Sequence, residues 1–140
     1  MSSDTQIRTD PVLAPFIETI LDRKADRLVV LDVSELTSFA DYFLVCSGRS
    51  NRQVTAIAEH LKKTLKKSEL KPISADGVKE GQWALLDYGN VIVHIFYESV
   101  RDFYDLEGLW ADAVRVRTPA MEAYEEAALG GVVDEEFHIE

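Results

Sequence analysis

Two stretches of the 140-residue chain hold residue types that could do chemistry. The first is Ser47-Gly48-Arg49-Ser50-Asn51-Arg52. It joins an apolar run to a helix start, where exposed amides and arginines can hold an anion at the positive helix end. Ser47, Gly48, Ser50 and Arg52 are the candidate anion ligands. The stretch lacks the Gly-Lys-Ser/Thr ending of a phosphate-binding P-loop. Phosphoryl transfer also needs metal-binding carboxylates nearby; Asp41 is close in sequence, but the strands carry no DxD or ExD pair. A nucleotide-binding or nucleotidyl-transferring enzyme using these residues is the alternative reading of function.

The second stretch is a hairpin, Trp83 to Asp87 and Val91 to Tyr97, around Tyr88-Gly89-Asn90. Strand alternation splits it into two faces, and any loop with an even number of residues keeps the same side chains together. Ala84, Leu86, Val91, Val93 and Ile95, with Tyr88 at the turn, form the natural core face. Trp83, Leu85, Asp87, Ile92, His94 and Phe96 form the other. That mixture suits a protein-binding patch anchored by a tryptophan, and equally a surface lying beneath a helix. Trp83 is divided evenly between core packing and partner contact, whereas a lone strand histidine such as His94 reads first as a satisfied core or surface group.

Metal chemistry is not expected, because His60, His94 and His138 fall on a helix, a strand and a tail without HxH or HExxH spacing. Cys46, the single cysteine, sits in an apolar strand and reads as a small hydrophobe; alone it excludes an internal disulfide. No cofactor is expected.

The elements that must position these groups follow from periodicity. Asp10-Pro11 reads as a cap and first helical residue, and Leu13, Phe16, Ile17, Ile20 and Leu21 form the buried stripe of the first helix. Met1 to Thr9 reads as frayed. Leu28 to Val33 and Tyr42 to Cys46 are strands. Ser50 and Gln53 have capping-box spacing ahead of a second helix with Val54, Ile57, Ala58, Leu61 and Leu65 inside. Lys62, Lys63, Lys66 and Lys67 at its end read as a solvated terminus facing the helix dipole. Leu70 to Asp76 suits an edge strand. After the hairpin, one helix from about 99 to 112 carries Phe103, Leu106, Leu109 and Trp110. Thr118-Pro119 opens a short helix through Leu129, with Gly130-Gly131 ending it before an acidic tail. The expected fold is α/β: a mixed sheet of about five strands flanked by helices.

Charge bounds the partners. Fifteen basic and 25 acidic residues give −10, which repels phosphate backbones and predicts little direct nucleic-acid binding. Residues 118–140 hold seven of the acids and no Lys or Arg, so residues 1–117 carry 15 bases against 18 acids, or −3. With no apolar run near the roughly 20 residues of a membrane span and no signal-peptide pattern, a cytoplasmic protein without membrane contact is expected. Residues 1–117 read as the domain and 118–140 as a short helix and acidic tail.

Asp41-Tyr42-Phe43 through Cys46-Ser47-Gly48-Arg49-Ser50-Asn51-Arg52-Gln53 resembles the ribosomal silencing factor family, also called RsfS or Iojap. Trp83-Ala84-Leu85-Leu86-Asp87-Tyr88-Gly89-Asn90-Val91-Ile92-Val93-His94, then Arg101, Phe103-Tyr104-Asp105-Leu106-Glu107 and Leu109-Trp110, is similar to that family's signature. The similarity spans roughly residues 11–117. It implies a nucleotidyltransferase-like core without catalysis. It also implies a translation repressor that binds the large ribosomal subunit through ribosomal protein L fourteen and sterically blocks joining of the small subunit. A large-subunit assembly adaptor is a further alternative. By the same resemblance Trp83 is the interface tryptophan, Asp87, His94, Glu98 and Tyr104 are its neighbours in partner binding, and the chain forms a homodimer.

Overall fold

The run Tyr42–Gly48 forms the central strand β3 of a seven-stranded sheet, and all seven of its residues are buried because both faces of the sheet are covered. The computed structural model describes residues 5–139, with side chains described through Leu129. In chain order the elements are β1 (Thr5–Ile7), α1 (Ala14–Asp22), β2 (Asp26–Asp32), β3, α2 (Asn51–Lys66), β4 (Ser74–Asp76), β5 (Trp83–Asp87), β6 (Val91–Tyr97), α3 (Glu98–Tyr104), α4 (Leu106–Leu109), β7 (Val114–Arg117) and α5 (Pro119–Ile139). The sheet order is β1-β7-β2-β3-β6-β5-β4. β3 pairs in parallel with β6, as β1 does with β7, and the remaining neighbours are antiparallel. The sheet is therefore mixed, as expected, but has seven strands rather than five.

Both additional strands lie toward one edge. Thr5–Ile7, expected to fray, pairs with β7, and its three residues are exposed, so no apolar pattern marks it. β7 is Val-Arg-Val-Arg, a period-two alternation in which Val116 is buried against β2. Four residues were too short a run to stand out.

One face of the sheet carries the main core. Phe16, Ile17 and Ile20 from α1 and Val54, Ile57, Ala58, Leu61 and Leu65 from α2 pack there on Leu44, Cys46, Ala84, Leu86, Val93 and Ile95. Helix α1 starts later than the sequence suggests. The Asp10 carboxylate accepts from the Val12 amide at 3.0 Å, forming a turn, and the helix begins at Ala14 with a proline in its first turn. Met121 of α5 joins the same core, so the first turns of that helix belong to the domain. Gly130-Gly131 does not end α5, which continues to Ile139. A helical glycine costs roughly 1 kcal/mol relative to alanine but does not forbid the conformation.

The opposite face is covered by α3 and α4, which the sequence suggests as one helix. They separate at Asp105, whose backbone is left-handed at φ 49°. Its carboxylate accepts from the Gly108 amide at 3.2 Å and caps α4. A Cβ at position 108 would meet that carboxylate, so a larger residue there would displace the Asp105 side chain from its capping position. The break has a large effect on burial. Leu106 is buried beside Val45 and Phe96, but Phe103 is 80% exposed and Leu109 77%. The three- and four-residue spacing of Phe103, Leu106, Leu109 and Trp110 on a single helix does not carry across a left-handed residue.

Candidate partner-binding face

Register puts the expected residues on one face. Trp83 lies opposite Phe96, Leu85 opposite His94 and Asp87 opposite Ile92. Ala84, Leu86, Tyr88, Val91, Val93 and Ile95 fall on the other side, in the main core. The Trp83 ring stacks on Phe96 with centroids 4.8 Å apart and packs against Tyr104 of α3 at 4.9 Å. Trp83 is half-buried, combining the core packing and the surface exposure between which the sequence could not choose.

His94 is buried. Its Nδ1 accepts from Trp83 Nε1 at 3.2 Å, which leaves the ring proton on Nε2. Nε2 is buried without a hydrogen-bond partner. Burial pulls the His94 pKa down to about 4, so the ring is neutral near pH 7. Neutral and enclosed, it is a support for Trp83 more than a contact residue. Asp87 stands at the other end of β5, where its carboxylate accepts from the Gly89 amide at 2.8 Å and holds the turn. Glu98 is exposed at the first residue of α3, and Tyr104 is half-exposed. The structure thus brings Trp83, His94 and Tyr104 together, with Glu98 and Asp87 farther out.

Sequence reasoning missed Phe103 and Leu109 as surface residues. Phe103 and Tyr104, with ring centroids 5.2 Å apart, form an apolar corner beside a groove of about 510 Å³ that they line with Gln82, Trp83, Ser99 and Val100. Asp102 and Asp105 are exposed beside it. The corner is fixed from below by Arg101, whose side chain is 1% exposed. Its Nη2 and Nε donate to Glu107 at 2.7 and 3.3 Å, and Nη1 donates to Ser47 Oγ at 3.1 Å. Burial alone would raise the Glu107 pKa, but the hydrogen bonds and charge of Arg101 hold it below the usual carboxylate range. The family block quoted from the sequence contains Arg101 and Glu107; their pairing depends on the α3–α4 turn and had no local signal.

The expected anion ligands do not form an open cradle. Ser47 is buried, with its hydroxyl taken up by Arg101 and the Asp26 carbonyl. Ser50 is the helix cap, accepting from the Gln53 amide at 3.1 Å, while Gln53 Oε1 accepts from the Arg49 amide at 2.7 Å. A Cβ on Gly48 would press on Val54 at 3.1 Å. Gly81, at φ +71°, packs on the carbonyl of Asn51 and covers the first turn of α2. Arg52 is exposed and, among the described residues, has no ion-pair partner. Cys46 is fully buried, and burial pushes its thiol up to about 12, removing it as a nucleophile at neutral pH. No helix among the described residues is long and apolar enough to cross a membrane.

Comparison with known proteins identifies the family and the fold. The family profile described as "Ribosomal silencing factor during starvation" matches residues 6–132, beyond both ends of the 11–117 stretch recognised from motifs. Ribosomal silencing factor RsfS of Halalkalibacterium halodurans is 38% identical over 100 residues, covering 71% of this chain and 86% of that protein. Its Bacillus subtilis counterpart is 39% identical over 92 residues, covering 66% and 78%. A crystal structure of a Chromobacterium violaceum protein superposes with a TM-score of 0.70 at 38% identity, covering 72% of this chain and 84% of that one. With the profile spanning most of its length and the fold shared with relatives at this identity, the chain belongs to the ribosomal silencing factor family.

Proposed function

We propose that this chain represses translation without chemistry, by docking on the large ribosomal subunit and obstructing the small one. The observation that carries the reading is the half-buried Trp83, stacked on Phe96 and continuous with exposed Tyr104 and Phe103. A rigid indole surrounded by apolar groups is the composition of an interface hot spot. The acidic residues near it, Glu98, Asp102 and Asp105, suit a basic partner, and ribosomal protein L fourteen is the partner we assign. Asp87 and His94 complete the face, one by holding the hairpin turn and the other by supporting the indole. A self-associated form would use the same apolar corner, so a second copy and the ribosome compete for it.

A bound obstacle needs only to outlast encounters with the small subunit, so residence time sets the effect. The nucleotidyl-transfer alternative finds no support in a turn whose two serines are engaged internally. The test is subunit joining measured with and without the protein. Large subunits preincubated with wild type should fail to join small subunits and should co-sediment with the protein. Unimpeded joining with the protein still bound would favour the assembly-adaptor reading instead.

A further inference from the structure

We infer that the C-terminal end of α2 holds a phosphate backbone, that of the RNA in the same large subunit; this rests on the docking reading above. The site is a groove of about 460 Å³ lined by Lys62, Lys63, Lys66 and Lys71 with Glu59 and Pro72. The chain as a whole carries −10, yet residues 62–71 contain five lysines and one acid, Glu69. Net charge therefore describes this region poorly.

Stabilisation of the helix end does not account for so many. Lysines in the last turn offset the dipole, but Lys62 with Lys66, and Lys63 with Lys67, are like-charge pairs four residues apart, which weakens a helix. Lys71 lies beyond the helix and still lines the groove. Among the described residues only Lys62 has an acidic partner, Glu59 at 3.9 Å. The groove lining contains no aromatic ring for base stacking, so recognition is of phosphate charge and not of sequence. The α2 helix packs on the sheet face opposite α3 and α4, so the groove stays open when the Trp83 face is occupied.

The experiment compares wild type with the triple variant Lys63→Gln, Lys66→Gln, Lys71→Gln in binding to isolated large subunits between about 50 and 200 mM salt. The expected result is that the slope of log affinity against log salt falls in magnitude by about 2, since each phosphate contact contributes roughly 0.7 to 0.9. An unchanged slope overturns the inference. So does a triple variant that loses self-association in sedimentation velocity while keeping its slope, because the groove would then receive the acidic residues 118–140 of a second copy. If wild type fails to bind subunits at all, the docking reading has failed. Binding to a poly-uridine oligomer then decides the groove alone: a loss of about tenfold or more in the variant supports it, and no difference overturns it.

Discussion

The indole Nε1 of Trp83 donates to Nδ1 of His94 at 3.2 Å, a diagonal bond across the β5–β6 ladder, since Trp83 stands directly opposite Phe96. The bond ties the most exposed ring of the hairpin face to its most enclosed polar group. It holds the indole in an orientation that meets both Phe96, at 4.8 Å between ring centroids, and Tyr104, at 4.9 Å.

Replacing Trp83 with alanine should weaken large-subunit binding by at least about 2 kcal/mol, as for an interface anchor. Co-sedimentation titration measures this, and thermal unfolding checks that the fold survives. Should the variant unfold at ordinary temperature, Trp83 would be a core residue and its assignment to the partner face would fail.

His94 makes stability depend on acid. Its folded pKa of about 4 lies below the unfolded value near 6.5. The unfolded chain therefore takes up a proton that the folded chain refuses. Stability from this group is complete above about pH 6.5 and is lost as pH falls toward 4, by about 3 kcal/mol in all. Urea unfolding of wild type and His94→Phe across that window measures it; a wild-type curve no steeper than the variant's would contradict the assignment.

The Arg101 ion pair should behave as a buried one. Arg101→Met leaves the Glu107 carboxylate without its partner and should cost about 3 kcal/mol, whereas the Arg101→Met, Glu107→Leu pair should recover most of that. Denaturant midpoints of the two variants give the comparison. Equal loss in both would mean that packing of the arginine stem, not charge pairing, holds the α3–α4 corner.

Truncation should separate the two parts of α5. A chain ending at Leu129 should keep its fold and its docking. One ending at Arg117 loses buried Met121 and the Arg117 contacts to Glu122 and Glu125, at 2.9 and 2.6 Å. It should lose about 2 kcal/mol or more. Thermal unfolding of both, with co-sedimentation, tests the division; equal stability would return the boundary to residue 117.

Sequence alone determined the parts of this protein governed by short-range pattern. The hairpin faces followed from a period of two, helix α2 from a cap and a 3.6-residue stripe, and the family from two contiguous motif blocks. Three things required the tertiary structure. The exposed strand Thr5–Ile7 had no apolar signal because it is held by backbone pairing to β7. The exposure of Phe103 and Leu109 followed from one left-handed residue, Asp105, that interrupts a helical period otherwise intact in the sequence. The apparent anion turn closed because Ser47 met Arg101, 54 residues away, inside the fold. Spacing along a chain specifies which side chains share a face, but which polar groups are already satisfied depends on partners that only long-range packing brings within reach.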